Sequence, residues 1–190
     1  MAWQIEYLPG LLGLMGIFFF ALVELTQLLS IKTFSNRKEL FSMFMIGFAG
    51  INWLFAACDR FVLQWTLIPL PLGIQISGTL LFYGGVLIRF FAFKDLGKFY
   101  NIAISIEDDH QLIKTGLYKH IRHPLYLGTL LLFLGFPIAM SSLGATAGFV
   151  FTGLPVIYYR IKIEEKILIA HFGQKYLDYK KTTGALFPWF

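Results

Sequence analysis

Apolar residues form five long runs along the chain, and polar residues collect in the stretches between them. A helix rises 1.5 Å per residue, so about 20 apolar residues cover the roughly 30 Å of a bilayer's hydrocarbon core. The runs are of this order of length, and the fourth is the shortest. The pattern therefore predicts an all-α integral membrane protein with about five transmembrane helices, at residues 8–29, 40–58, 67–88, 125–140 and 143–161.

The last two runs are separated only by Ser141 and Ser142, which predicts a C-terminal helical hairpin. A polar connector, residues 94–124, precedes this hairpin, and a charged helix and an aromatic tail follow it. No stretch rich in Ser or Pro divides the chain, so we predict a single membrane domain over residues 1–190. Its predicted parts are three N-terminal spans and a functional core, at residues 1–93 and 94–190.

The composition supports a bilayer as the solvent. Hydrophobic residues make up 57% of the 190 residues and charged residues 14%, whereas a soluble domain carries about a quarter charged residues. All of the 16 Lys and Arg residues except Arg60 fall at residues 31–39, 89–124 and 160–190. Because positive charge collects on the cytoplasmic side of membrane proteins, we predict that these segments are cytoplasmic and that the N-terminus lies outside. The net charge of +5 then gives no reason to expect a nucleic-acid partner.

The connector ends in a motif suited to binding an anion, Gly116-x-Tyr118-x-x-x-Arg122-His123-Pro124-x-Tyr126-Leu127-Gly128. Pro124 fits the first turn of a helix, where its missing N–H costs nothing. The N–H groups predicted to be free for an anion at this helix start are those of Tyr126, Leu127 and Gly128. Arg122 and His123 would add further donors. The basic residues here equally suit an anchor to lipid headgroups, so both interpretations stay open.

Two further clusters follow the hairpin. Arg160 and Glu164 are four residues apart, hence on one face of a helix, and Glu165 places a second acid at the same boundary. Acids at a membrane boundary are costly unless they are solvated, hydrogen-bonded or bound to a cation, so a solvated helix end and a binding site both account for them. Tyr176 and Tyr179 are typical of aromatic residues at a membrane interface.

Taken in order, these motifs resemble the isoprenylcysteine carboxyl methyltransferase family, which lies within a wider group that includes phospholipid methyltransferases. The resemblance covers residues 96–188, roughly half of the chain. It joins the Arg-His-Pro motif to Arg160-x-x-x-Glu164-Glu165, then to Phe172-Gly173-x-x-Tyr176-x-x-Tyr179 and a Leu-Phe-Pro ending. The chain is similar to the compact prokaryotic members, so we expect it in a prokaryotic inner membrane.

The resemblance implies S-adenosyl-L-methionine as the methyl donor, bound in a pocket on the cytoplasmic side. The residues that it implies for this cofactor are His110, Gly116, Tyr118, His123, Pro124, Tyr126, Leu127, Gly128, Glu164 and Glu165. Arg122 or Arg160 would orient the acceptor, the carboxylate of an isoprenylcysteine-like substrate whose lipophilic part enters from the bilayer. The implied partners are this acceptor and membrane lipids, without nucleic acid or metal.

Other functions fit parts of the pattern. A related methyltransferase would act on a phospholipid amine, a phenol or a small thiol. A sterol-reductase-like oxidoreductase would use NADPH, although the Glu164-Glu165 pair favours a methyltransferase, and a non-catalytic membrane scaffold is also compatible. Glu24 and Gln27 in the first run would line the acceptor pocket or bond to a neighbouring helix. The single cysteine, Cys58, excludes a disulfide framework and a multi-cysteine zinc site.

Overall fold

The fold is built from helices that run up and down through a shared apolar core. The computed structural model describes residues 8, 10–16, 18, 37–99 and 111–188. Residues 10–16 are helical. The α-helices that follow within the described ranges are α1 (Arg37–Cys58), α2 (Leu72–Leu96), α3 (Pro124–Ala139), α4 (Leu143–Gly148), α5 (Leu154–Phe172) and α6 (Gln174–Thr182). Short π or 3-10 turns lie at Asp59–Leu63, Gly97–Phe99, Gly116–Lys119 and Phe149–Gly153. The predicted all-α class is confirmed for this part of the chain.

The helices overlap the predicted spans but differ in their bounds. The predicted start at residue 67 is wrong, because α2 begins at Leu72. Pro71 has φ −50° and ψ 142°, an extended conformation that keeps the preceding residues out of the helix. Among the described residues, α2 is the one helix both long and apolar enough to cross a membrane, and α3 is apolar but shorter. Most of the predicted span 8–29 lies outside the described residues.

Ser141 and Ser142 form a tight turn between α3 and α4, as the sequence predicted. Ser141 takes up a left-handed conformation with φ 58°, and the Ser142 side chain caps α4 by accepting the Ala145 N–H. α4 continues into α5 through the π turn Phe149–Gly153. Pro155 lies in the first turn of α5 and has no N–H to donate, which accounts for the wider turn before it. The hairpin returns the second half of α5 to the start of α3.

Glycines let α2 and α3 pack closely. A Cβ at Gly78 would lie 2.8 Å from the carbonyl oxygen of Gly135, and a Cβ at Gly85 would lie 2.6 Å from that of Gly128. Neither position has room for a side chain. Small residues at such crossings allow helix backbones to approach, a common arrangement in membrane proteins.

An aromatic core joins α1, α2, α3 and the π turn before α5. Trp53 stacks on Phe133 with ring centroids 5.1 Å apart, and Phe133 stacks on Phe149 at 5.2 Å. Phe82 meets Trp53 edge-on at 5.9 Å. These rings are buried, whereas large apolar side chains on the outer face of α2 are exposed, for example Leu80 at 68%. An apolar solvent such as lipid suits that outer face.

The end of the bundle away from the connector is held by Asp59, which is fully buried. Its carboxylate accepts the Thr66 N–H at 3.0 Å, the Ser142 hydroxyl at 2.7 Å and the Thr66 hydroxyl at 2.5 Å. These bonds tie the end of α1 to the hairpin turn. The 16 residues of α3 separate this end from the Arg-His-Pro motif by about 24 Å.

Candidate active site

The 3-10 turn Gly116–Lys119 leads into the site and is fixed to the end of α2. Gly116 has φ +57°, and a Cβ there would overlap the carboxylate of Asp95. That carboxylate accepts the Leu117 N–H at 2.8 Å. Gly116 is therefore required by the backbone conformation and by its contact with α2.

Tyr118 follows in this turn and is bound by α6. It is buried, and its backbone carbonyl accepts the hydroxyl of Tyr179 at 2.6 Å. Burial raises the pKa of Tyr179 to about 12, so its hydroxyl stays protonated and donates at neutral pH. Tyr118 thus fastens the connector to the C-terminal helix through its main chain.

The backbone just before α3 pairs with the tail that follows α6. The Arg122 N–H donates to the Gly184 carbonyl at 2.9 Å, and the His123 N–H donates to the Ala185 carbonyl at 3.0 Å. The Gly184 N–H returns a bond to the His120 carbonyl at 3.3 Å, completing a parallel bridge. The tail therefore closes over the Arg-His-Pro motif and fixes the direction in which α3 begins.

Two buried residues, Arg122 and Glu165, and the partly exposed Lys180 form a cluster that we call the ion-pair clamp. Arg122 Nε donates to Glu165 Oε1 at 3.0 Å, and Lys180 Nζ donates to Glu165 Oε2 at 2.5 Å. Arg122 Nη1 also donates to the backbone carbonyls of Lys180, at 3.1 Å, and of Thr183. Burial opposes the charged carboxylate, but the nearby His123, Lys180 and Arg122 outweigh it and hold the pKa of Glu165 well below its usual range. The clamp joins the start of α3, α5 and α6.

His123 lies between the two acids of α5. Its Nδ1 is 3.8 Å from a Glu164 oxygen, and its Nε2 is 3.7 Å from a Glu165 oxygen. The ring is buried, and Nε2 has no hydrogen-bond partner within the described part of the chain. Both distances exceed a direct hydrogen bond, so the imidazole sits near the acids without being saturated by them.

The start of α3 differs from the prediction in its free donors. Pro124 occupies the first position of the helix, as predicted, and His123 precedes it as the N-cap. The Leu127 N–H donates to the His123 carbonyl at 3.1 Å, so the prediction that this N–H is free is wrong. The N-cap carbonyl already begins the helical ladder, which leaves only the first turn with free donors. Gly128 faces α2, where a Cβ would lie 2.6 Å from Arg89 Cγ, and so serves helix packing.

Arg160, Tyr126, His123 and Glu164 form a polar cluster next to the clamp, which we call the site mouth. Arg160 Nε donates to the Tyr126 hydroxyl at 2.7 Å, and the guanidinium lies 5.9 Å from the centre of the Tyr126 ring. The His123 ring is 5.7 Å from that ring. The Glu164 side chain is 31% exposed, against 7% for Glu165, so Glu164 is the more accessible of the two acids.

The structure brings half of the twelve predicted site residues together near the start of α3, in the mouth or in the clamp: Arg122, His123, Tyr126, Arg160, Glu164 and Glu165. The predicted residue His110 lies outside the described residues, as do Glu24 and Gln27. Sequence reasoning missed Lys180, although it follows Tyr176 by one helical turn and so shares the buried face of α6. In the described part of the chain, no group of three or more His, Cys, Asp or Glu side chains is arranged to hold a metal ion.

Comparisons with known proteins cover the same elements. The model of the isoprenylcysteine carboxyl methyltransferase family matches residues 78–170. A protein-S-isoprenylcysteine O-methyltransferase of Saccharomyces cerevisiae is 32% identical over 115 residues, which cover 60% of this chain and 48% of that protein. Methanethiol S-methyltransferase 1 of Bradyrhizobium diazoefficiens is 31% identical over 156 residues, which cover 72% of this chain and 53% of that protein.

A solved structure has a similar fold. It is that of a eukaryotic intramembrane Ras methyltransferase, an isoprenylcysteine carboxyl methyltransferase, and it matches with a TM-score of 0.62 at 22% sequence identity. The match covers 82% of this chain and 54% of the other. The chain thus spans about half the length of the relatives that it matches.

Proposed function

Since the chain belongs to the isoprenylcysteine carboxyl methyltransferase family, we propose that it transfers a methyl group from S-adenosylmethionine to a lipophilic acceptor. The acceptor group that we propose is the carboxylate of an isoprenylcysteine-like molecule. The observation that carries the proposal is the contact between the start of α3 and α5, which forms the site mouth. There Arg160 binds Tyr126, and Glu164 lies near His123. One mouth thereby holds an acid for a cationic group and a guanidinium for an anionic group.

The side chains around the mouth fit S-adenosylmethionine in charge and polarity. The partly exposed Glu164 carboxylate suits the ammonium of the cofactor, and the face of Tyr126 suits a sulfonium cation. His123 Nε2 and the Tyr176 hydroxyl are buried without a hydrogen-bond partner among the described residues, which leaves two polar positions for a ligand. When bound, the cofactor supplies a methyl group activated by its positively charged sulfur.

In this proposal Arg160, and not Arg122, orients the acceptor. Arg122 holds Glu165 and two backbone carbonyls, so turning it toward a substrate would open the clamp. Arg160 is fixed through its Nε on the Tyr126 hydroxyl, and its planar donors suit a carboxylate. Holding that carboxylate in line with the methyl group would supply much of the rate enhancement, up to about 7–11 kcal/mol in ideal cases.

We also propose how the mouth meets the membrane. The basic segments around it favour a cytoplasmic position, in a multi-pass protein with five spans whose N-terminus is outside and whose C-terminus is cytoplasmic. Phe90 and Phe91, near the end of α2 closest to the mouth, are 55% and 50% exposed and offer an apolar approach from the bilayer. A prokaryotic inner membrane is the location that we propose.

A second candidate function is methylation of a small thiol. The likeness to the methanethiol S-methyltransferase, over 72% of this chain, favours it. A thiol acceptor carries no carboxylate, so the loss of Arg160 would then affect binding of the acceptor little. The kinetics of an Arg160→Gln variant therefore separate the two candidates.

The test is transfer of a radiolabelled methyl group from S-adenosylmethionine, measured on the purified protein with prenylcysteines, lipid amines, phenols and small thiols. We expect a base-labile methyl ester on prenylcysteine, and we expect Arg160→Gln to raise the KM for that acceptor. Base-stable label on thiols alone would establish the second candidate. Absence of transfer to every acceptor, together with thermal stabilisation by NADPH but not by S-adenosylhomocysteine, would refute methyl transfer in favour of an oxidoreductase.

A further inference from the structure

Helix α6 carries a buried tyrosine hydroxyl that the contacts within the described residues leave unsatisfied. Tyr176 is 1% exposed, and its hydroxyl has no hydrogen-bond partner within residues 37–99 and 111–188. Its neighbour Tyr179, by contrast, donates to the Tyr118 carbonyl at 2.6 Å. A buried hydroxyl without a partner is destabilising by comparison with phenylalanine, so its presence calls for a partner that the described residues do not supply.

The position of Tyr176 on α6 directs it toward the acidic turn of α5. Tyr176 and Lys180 are four residues apart and share one face of the helix. Lys180 Nζ contacts Glu165 at 2.5 Å, so this face of α6 lies against the ion-pair clamp. Burial, followed by the negative charge of Glu165, raises the pKa of Tyr176, which agrees with a hydroxyl close to that carboxylate and keeps it a donor at neutral pH.

A second unsatisfied polar atom flanks the same carboxylate from α3. His123 Nε2 is 3.7 Å from Glu165 Oε1 and has no hydrogen-bond partner among the described residues. A ligand that reaches both atoms meets two acids, Glu164 and Glu165, so an anionic group is disfavoured there. An alcohol fits better, because a hydroxyl oxygen accepts a bond from the tyrosine while its proton is donated to histidine or carboxylate.

We propose that Tyr176 is a cofactor-binding residue whose hydroxyl donates to a ribose hydroxyl of the nucleoside part of S-adenosylmethionine, with His123 Nε2 as the neighbouring polar contact. The inference rests on the proposed function for the identity of the nucleoside. It adds a residue of α6 to a site otherwise built from α3 and α5. The clamp holds α6 against these two helices, so the clamp then contributes to cofactor binding.

The experiment measures the affinity of the purified full chain for S-adenosylhomocysteine and for its 2′-deoxy and 3′-deoxy analogues. We expect Tyr176→Phe to weaken binding of S-adenosylhomocysteine about three- to tenfold, the effect of losing one hydrogen bond. For one of the two deoxy analogues, wild type and variant should bind equally, since the partner hydroxyl is missing. Tyr179→Phe is the matched control, because it removes a hydroxyl from the same helix that binds the main chain, and should keep the wild-type discrimination between analogues.

The outcomes separate this inference from the proposed function. Binding of S-adenosylhomocysteine by wild type with unchanged affinity in Tyr176→Phe overturns the inference alone, and so does an equal loss for all three compounds. Wild-type protein that binds none of them overturns the proposed function and the inference with it. Wild type alone gives a check that needs no variant, since it must bind one deoxy analogue more weakly than the parent compound.

Discussion

Replacing Glu165 with glutamine would remove the one negative charge that the clamp places between two cations. The substitution keeps the shape of the side chain and one carbonyl oxygen, so packing within α5 is preserved. It leaves Arg122, whose side chain is 4% exposed, with its two backbone carbonyl partners but without a counter-charge. Lys180 is 38% exposed and is able to turn its ammonium toward solvent.

The size of the effect follows from that difference between the two cations. Breaking a buried ion pair by removing one partner costs about 3–5 kcal/mol, and the retained carbonyl contacts of Arg122 argue for about 3 kcal/mol here. For a chain of this length that corresponds to a fall in Tm of about 6–12 °C. The loss should appear as destabilisation of the contact between α5 and α6, because the clamp joins those elements.

Glu164→Gln is the matched control, since it makes the same chemical change at the adjacent position, where the side chain is 31% exposed. We expect this variant to keep the wild-type Tm but to bind S-adenosylhomocysteine about tenfold to hundredfold more weakly, through loss of a charge-assisted bond of about 1.5–3 kcal/mol. Thermal unfolding in detergent and calorimetric titration of both variants give the two quantities. A Glu165→Gln variant as stable as wild type would refute the clamp, and a Glu164→Gln variant with wild-type affinity would remove Glu164 from the site.

Three further predictions concern topology, packing and pH. The topology is tested in sealed cells with single-cysteine variants that lack Cys58, by adding a membrane-impermeant thiol reagent outside. We expect Trp65→Cys to be labelled and Gln174→Cys not to be. Labelling of Gln174→Cys would contradict a cytoplasmic C-terminus. Gly128→Ala should lower the free energy of unfolding by about 1–3 kcal/mol, because the new Cβ has no room. Gly47→Ala is the control and should not, since nothing lies within 4 Å of a Cβ there. Equal Tm values for the two variants would refute the close crossing of α2 and α3. Folding lowers the pKa of Glu165, so its carboxylate should stabilise the folded protein fully above the pKa of the unfolded chain, about 4.3. This stabilisation should be lost as the pH falls below that value. If the Tm of Glu165→Gln falls with pH as steeply as that of wild type, the assignment is refuted.

The helices and the grouping of the candidate site residues were predictable because each depends on local pattern. Apolar runs of sufficient length give helices, and the Arg-His-Pro motif marks a helix start through the geometry of Pro124 alone. The start of α2 was misjudged because apolar residues continue through Pro71 although the backbone there is extended. The pairing of Gly184 with the residues before α3 was not predictable from the sequence. A contact between single residues far apart in the chain produces no periodic pattern of apolar and polar positions.

The two adjacent acids show why a local pattern locates a site without assigning its parts. Successive residues of a helix point about 100° apart, so Glu164 and Glu165 necessarily face different surroundings. Glu165 belongs to the clamp and holds three elements together through its charge, whereas Glu164 belongs to the mouth and is partly exposed. That division depends on Lys180, which comes from another helix, and on Arg122, which precedes α3. On the proposed function, the packing of α6 against α5 therefore determines which acid binds the cofactor and which holds the clamp. A substitution that loosens α6 should then weaken cofactor binding through Glu165 without changing any residue of the site mouth.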